Sequence, residues 1–147
     1  MTIIRATVLH APVLAALRSA SFKSAWDDDT FVQMLAQPGV AAWIWQDDSP
    51  RGFILVRAAA DEAEIITIAV APAHRRSGIG AALLDTATAE LQRAKIQNLF
   101  LEVAASNDAA RALYTRAGFL ECGQRPGYYQ ERDTRTDAVI MKRALEG

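Results

Sequence analysis

The sequence has little of the chemistry that marks secreted or membrane proteins. Cys122 is the only cysteine among 147 residues, so an internal disulfide is excluded, and we expect its thiol to serve as a small buried hydrophobe. No apolar run approaches the roughly 20 residues that a membrane-spanning helix needs. The first residues also lack the basic and then apolar segments of a signal peptide. We therefore expect a cytoplasmic protein that does not act at a membrane.

Excess charge and low-complexity segments are missing as well. The formal net charge is −1, which argues against a dedicated nucleic-acid-binding protein. No repeat or linker interrupts the chain, and its length suits one hydrophobic core. The sequence therefore predicts a single domain over residues 1–147.

Two common phosphate-binding motifs are absent, but a third kind of loop is present. Neither G-x-x-x-x-G-K-[ST] nor a G-x-G-x-x-G that opens a βαβ unit occurs. Instead, the apolar, β-branched run Ile65–Val70 predicts a fully buried central strand, which Pro72 ends. The segment Arg75-Arg76-Ser77-Gly78-Ile79-Gly80 follows, and then a helix predicted over Ala81–Ala94.

This loop has the properties of an anion site. The first amides of a helix lack intrahelical partners and attract negative charge, glycines let the backbone approach a ligand, and two arginines add positive charge. We predict that the loop binds a pyrophosphate. A β-to-α turn with incidental arginines is the alternative.

The remaining pattern predicts an α/β protein with a mixed sheet. Further strands are predicted over Thr2–Val8, Val40–Gln46, Gly52–Ala60, Asn98–Val103, Phe119–Gly127 and Ala138–Lys142, and further helices over Val13–Ala20, from the aspartates at 27–29 onward, and over Ala109–Ala117. Short turns make the second, third and central strands an antiparallel meander. The strand at 98–103 should run parallel to the central one, because a helix separates them.

The acidic cluster Asp27-Asp28-Asp29 predicts the capped first turn of a helix, with Phe31 and Leu35 facing inward. A metal site is the weaker interpretation, because consecutive carboxylates point in different directions and no histidine is near in sequence. We expect no metal.

The pattern Arg-x-x-Gly-x-Gly, with a strand before it and a helix after it, resembles the acetyl-CoA pyrophosphate loop of the GNAT N-acetyltransferases. The order of strands and helices is also that of the GNAT fold. The resemblance implies a mostly antiparallel sheet, splayed between the central and fifth strands, with a bulge in the central strand and helices on both faces. It also implies acetyl-CoA contacts at Ile68, Ala69, Val70, Arg75, Arg76, Ser77, Gly78, Ile79, Gly80, Ala81 and Asn107. The alternative for Asn107 is that it serves only as the N-cap of its helix.

A narrower resemblance covers nearly the whole chain. The segments F-L-E-V at 100–103, S-N at 106–107, A-L-Y at 112–114 and G-Y-Y at 127–129 are similar to the RimI-type branch, which acetylates the N-terminal alanine of a small-subunit ribosomal protein. The chain departs from that branch at Pro126, Gln130 and Thr136, which bear on peptide specificity. Tyr128 and Tyr129 either line the peptide entrance or pack on the last strands.

The resemblance assigns Glu102 as general base and Tyr114 as general acid. Glu102 interrupts an apolar strand near its carboxyl end, where open sheets place their ligands. A glutamate turned to solvent or paired with an arginine is the alternative, and Tyr114 could instead be a core tyrosine with one structural hydrogen bond.

The implied reaction is direct transfer in a ternary complex. An N-terminal amine has a pKa of about 7.7–8.0 against about 10.4 for lysine, so it is easier to deprotonate near neutral pH. Cys122 has no evident histidine or asparagine partner, so an acetyl-cysteine intermediate is not expected. Rival interpretations are an acetyltransferase for a small-molecule amine or lysine, and a non-catalytic acyl-CoA-binding module. A monomer or weak homodimer is expected.

Overall fold

The described part of the chain forms seven strands and four α-helices. The computed structural model describes residues 1–22, 26–131 and 134–145. The strands are β1 (Thr2–Arg5), β2 (Val40–Gln46), β3 (Pro50–Ala59), β4 (Glu62–Val70), β5 (Asn98–Ala104), β6 (Leu120–Glu131) and β7 (Thr134–Ala144). The helices are α1 (Ala11–Ser19), α2 (Asp28–Leu35), α3 (Ile79–Arg93) and α4 (Asp108–Arg116), with single 3-10 turns at Val8–His10 and Pro72–His74.

All seven strands join one sheet in the order β1-β2-β3-β4-β5-β7-β6. The β2–β3–β4 meander is antiparallel, and β5 pairs with β4 in parallel. The other pairings between the described strands are antiparallel. The predicted mixed, mostly antiparallel sheet is therefore confirmed.

Helices cover both faces of this sheet, also as predicted. On one face, α1 and α2 place Leu14, Leu17 and Phe31 against Ile44 and Phe53. On the other face, α3 and α4 pack against the sheet through apolar side chains that recur at helical spacing: Leu83, Leu84, Ala87, Leu91, Ala110, Leu113, Tyr114 and Ala117. No helix in the described part of the chain is both long and apolar enough to cross a bilayer.

Strand β4 contains a bulge, which the fold resemblance implied. Leu55 is opposite Thr67 while the next residue of β3, Val56, is opposite Ile65, so Ile66 is the extra residue. Ile65 and Ile68 consequently face the same side of the sheet although they are three residues apart. The prediction of a fully buried strand was wrong, because Ile66 and Ile68 are only half-buried.

Element boundaries differ most from prediction in the last two strands, because β6 continues to Glu131 and β7 begins at Thr134, whereas the predicted strands ended at Gly127 and began at Ala138. β1 ends at Arg5, because the Thr7 hydroxyl accepts a hydrogen bond from the Leu9 amide at 3.3 Å and starts a 3-10 turn. Helix α3 begins at Ile79, two residues before the predicted start.

The environment of Cys122 was also predicted wrongly, since its side chain is exposed. Glu121 is opposite Met141 and Gly123 is opposite Ile140, so Cys122 is the extra residue of a bulge. It lies on the edge strand β6, where no further strand covers it.

Candidate active site

A wedge-shaped gap opens in the middle of the sheet. The register between β4 and β5 has three residue pairs and ends at Glu64 and Phe100. Both strands continue, to Val70 and Ala104, while β5 remains paired to β7 on its other side. The gap therefore lies at the carboxyl ends of two parallel strands, the usual place for a ligand in an open α/β sheet.

Strand β4 presents backbone groups to this gap. The Ala71 amide donates to the Arg51 carbonyl on β3 at 2.7 Å. Successive residues of a strand direct their backbone groups to opposite edges, so Val70 faces the gap, as does Ile68, while Ala69 faces β3. The Val70 carbonyl accordingly accepts from the Ser21 hydroxyl at 3.2 Å and from Arg75 Nε at 3.3 Å. Ser21, just after α1, thus ties the first helix to the gap.

The loop after β4 curls into the start of α3. Arg76 and Gly78 have positive φ angles of 64° and 85°, and Gly78 is the N-cap of α3. The Ser77 hydroxyl donates to the His74 carbonyl and tightens the turn. The first intrahelical bond runs from the Ala82 amide to the Gly78 carbonyl at 3.0 Å. The amides of residues 79–81 therefore stand at the open end of the helix, where an anion is favoured.

The two loop glycines meet different needs. A Cβ on Gly78 would have no neighbouring atom within 4 Å, so space does not restrict the residue at this position. Glycine is favoured there because the backbone is left-handed. A Cβ on Gly80 would lie 3.2 Å from Leu113 Cδ2. Gly80 therefore also allows α3 to approach α4, a packing role that sequence reasoning missed.

Glu102 lies on β5, on the face opposite α3 and α4. Its neighbours Leu101 and Val103 point into the core beneath those helices, and side chains alternate along a strand. Glu102 Oε1 is 2.8 Å from Arg125 Nη2, and 27% of the Glu102 side chain is exposed. The pairing with an arginine that the sequence left open is therefore present, and the role of Glu102 as general base stays a prediction.

The carboxylate of Glu102 borders a groove of about 370 Å³ on this face, which we call the Glu102 groove. Its lining residues are Arg57, Ala59, Glu62, Ala63, Glu64, Phe100, Leu101, Glu102, Arg125 and Ile140. The ion pair with Arg125 thus lies at the groove wall.

Tyr114 lies on the inward face of α4, 6% exposed, with its ring 5.8 Å from that of Phe119. Burial raises its pKa, and the charge of Tyr129 adds to the effect. Burial also raises the pKa of Tyr129, followed by the negative charge of Glu102. Tyr129 therefore lies within electrostatic range of both Glu102 and Tyr114, which lie on opposite faces of the sheet.

The two adjacent tyrosines differ in their surroundings. Their rings are 5.1 Å apart and nearly perpendicular. Tyr128 is 54% exposed and has the Arg125 guanidinium 5.2 Å from its ring centroid. Tyr129 is the more buried of the two, and the choice between lining the peptide entrance and packing on the last strands stays a prediction.

Asn107 is the N-cap of α4, where its side-chain oxygen accepts from the Ala110 amide at 3.2 Å. The structural half of its predicted role is thus present, and contact with a cofactor stays a prediction. Asp27 likewise caps α2 by accepting from the Thr30 amide at 2.9 Å, which lowers the pKa of Asp27. The interpretation of the acidic cluster as a capped helix start is confirmed.

Comparison with known proteins agrees with this geometry. Residues 11–119 match the family model described as the acetyltransferase (GNAT) family. The [ribosomal protein bS18]-alanine N-acetyltransferase of Escherichia coli (strain K12) is 38% identical over 116 residues, which cover 79% of this chain and 78% of that protein. The enzyme of the same name from Salmonella typhimurium is 36% identical over the same shares.

Solved structures give the same result for the fold. The crystal structure of the ribosomal-protein-S18-alanine N-acetyltransferase from Escherichia coli superimposes with a TM-score of 0.92, at 32% identity, over 99% of this chain and 94% of that one. The Ard1 protein from Thermoplasma volcanium superimposes with a TM-score of 0.86 at 23% identity, over 99% of this chain and 98% of that one.

Proposed function

The chain belongs to the acetyltransferase (GNAT) family, and we propose that it transfers the acetyl group of acetyl-CoA to the N-terminal α-amine of a protein. The proposed acceptor is a ribosomal protein that begins with alanine. The observation that carries this proposal is the gap between β4 and β5, which has an anion-binding helix start at one end and Glu102 at its border.

The cofactor half of the site is proposed to be the loop and the free edge of β4. The amides of Gly78 to Ala81 would hold the pyrophosphate, with Arg75 and Arg76 adding positive charge. The backbone of Ile68 and Val70 would pair with the pantetheine arm as an added strand does. These groups would direct the thioester into the gap.

Two proton transfers define the chemistry of the other half. The attacking amine must lose a proton, and Glu102 is the proposed acceptor, directly or through a water. The departing thiolate must gain one, and Tyr114 is the proposed donor. The phenol is protonated near neutral pH, but burial raises the pKa of Tyr114 and makes it a weaker acid, so the proposed transfer depends on geometry and on the charge of the intermediate. The Val70 amide is proposed to polarise the thioester carbonyl.

The choice of an α-amine rather than a lysine rests on proton affinity and on the relatives. A lysine amine needs about 3 pKa units, or about 4 kcal/mol, more than an α-amine to present the same neutral fraction. A single partly exposed carboxylate such as Glu102 suits the easier task. The Escherichia coli and Salmonella typhimurium relatives, 38% and 36% identical, are both named as alanine N-acetyltransferases.

The test is an acceptor assay with two matched peptides. One has a free N-terminal alanine and no lysine, and the other has a blocked N-terminus and one internal lysine. After incubation with acetyl-CoA, intact-mass measurement should show one acetyl group on the first peptide only. Transfer to the lysine peptide alone, or to a polyamine alone, would refute the proposed acceptor.

A further inference from the structure

We propose that Arg125 is a positioning residue for Glu102, the proposed general base; this inference rests on the function proposed above. Arg125 lies on β6, two strands away from Glu102 on β5. At about 4.8 Å per strand, the two backbones are about 10 Å apart. Their side chains nevertheless meet at 2.8 Å, from Nη2 to Oε1.

The strand between them leaves room for this contact. Arg125 is opposite Ala138 on β7, and Glu102 is opposite the next residue on that face, Ile140. Ala138 carries only a methyl group, so the long arginine side chain can cross β7 above it. The ring of Tyr128, 5.2 Å from the guanidinium carbon, supports the guanidinium.

A bend in β6 next to Arg125 is fixed by hydrogen bonds. Arg125 and Tyr129 are opposite Ala138 and Thr136, so three residues of β6 face Asp137 alone. The Asp137 carboxylate accepts from the Gly127 amide at 2.9 Å. The Asp137 carbonyl accepts from the Ala105 amide at 2.8 Å. The bend is thereby hydrogen-bonded to the connection between β5 and α4, which contains Asn107, a proposed cofactor contact.

The ion pair between Arg125 and Glu102 contributes little to the free energy of folding. The Arg125 side chain is 54% exposed and that of Glu102 is 27% exposed, and ion pairs this close to water contribute little to folding. The main effect of the ion pair is on the orientation of the Glu102 side chain. The guanidinium occupies one carboxylate oxygen and so restricts the Glu102 rotamer, which leaves the second oxygen for the acceptor amine or a bridging water.

The test is a double-mutant cycle on turnover. Arg125→Gln should lower kcat on the order of tenfold, with the acetyl-CoA Kd unchanged, and Arg125→Lys should recover part of the loss. In a Glu102→Gln background the same arginine change should have almost no effect, because residues that act through one another are not additive. Arg93→Gln is the matched control, since Arg93 forms an exposed ion pair with Glu90 on α3, outside the site.

Wild-type transfer to the alanine peptide tests the proposed function, whereas the ratio between the two backgrounds tests only this inference. An equal fold-loss in both backgrounds would show that Arg125 acts through general structure, and an unchanged kcat in Arg125→Gln would show that it does not position Glu102. If Arg125→Gln has a lowered melting temperature, Arg125→Lys is used instead, because it keeps the charge. The loss of kcat in Arg125→Lys must then also disappear in the Glu102→Gln background. Additivity there overturns the proposal.

Discussion

The two edges of β4 belong to the same strand but have opposite characters. On the β3 edge, eight residue pairs run from Gly52 to Ala59, and apolar side chains fill both faces. On the β5 edge, three pairs hold the strands before they part, and Glu102 of β5 borders the opening. One strand thus anchors the core along one edge and leaves its backbone available along the other.

This contrast shows how the sheet can stay stable although β4 and β5 separate at the gap. On its other edge, β5 stays paired with β7 along its whole length, through seven residue pairs from Asn98 to Ala104. Helix α3 packs over the neighbouring strands β2, β3 and β4, where its Leu83 and Leu84 are fully buried. Stability is therefore carried by groups away from the gap, and changes at each edge should affect different measurements.

The largest expected effect is on chemistry at the open edge. Glu102→Gln removes the proposed base and should lower kcat by about 10²- to 10⁴-fold, while the acetyl-CoA Kd and melting temperature stay near those of the wild type. Steady-state kinetics and calorimetry measure these quantities. Glu90→Gln, which alters an arginine-paired glutamate on α3, is the control. Wild-type turnover in Glu102→Gln would remove this residue from the mechanism.

The closed edge should show the reverse behaviour. Phe53 on β3 is completely buried, with its ring 5.8 Å from that of Phe31. Phe53→Ala should lower the free energy of unfolding by about 3–5 kcal/mol, as measured by denaturant titration. The fraction that remains folded should keep its kcat. A stable variant with lost turnover would mean that the two edges are not separable in this way.

Tyr114 packs in the core on α4 and is also the proposed acid, so its replacement by phenylalanine separates the two roles. Tyr114→Phe removes the proposed acid and should lower kcat by about 10²-fold. It keeps the ring that packs on Phe119, so stability at neutral pH should change little. Unchanged kcat would leave Tyr114 with only its packing role.

The same variant has a second signature at alkaline pH. Burial raises the pKa of Tyr114 in the folded protein, whereas an unfolded tyrosine titrates near about pH 10. Above that pH the unfolded chain has lost a proton that the folded chain keeps, so stability must fall as pH rises. Tyr114→Phe should make this fall shallower in denaturant titrations at about pH 9 to 11. Identical slopes would contradict the buried, protonated phenol.

The smallest effect is expected at the loop arginines. Arg75 and Arg76 are exposed, and exposed charges contribute about 0.2–1 kcal/mol each. Replacing either by glutamine should therefore raise the acetyl-CoA Kd only a few-fold, and less at high salt. Isothermal titration at two ionic strengths measures this. A loss of all binding would mean that the side chains, not the helix amides, hold the anion.

The sequence was informative where local chemistry decides the structure. The strand–loop–helix of β4 and α3, the caps at Asp27 and Asn107 and the apolar stripe of α3 all follow from spacing and residue type. The family resemblance added the splay and the bulge, which depend on pairing between distant segments and leave no local pattern.

What could not be predicted arises from pairing across the sheet. The ion pair of Arg125 with Glu102 joins strands whose register is set by the bend at Gly127, and Ser21 reaches Val70 across 49 residues of sequence. Cys122 is exposed because of a bulge on an edge strand. Each depends on which residues face one another, and residue spacing along the chain does not contain that information.

The central claim is that the start of α3 holds the diphosphate of coenzyme A and so aims the thioester into the gap beside Glu102. A crystal structure with coenzyme A bound tests it most directly. We expect diphosphate oxygens within hydrogen-bond distance of the amides from Gly78 to Ala81, with the sulfur between β4 and β5 on the side of Glu102. A diphosphate away from this turn, or a sulfur outside the gap, would contradict the account.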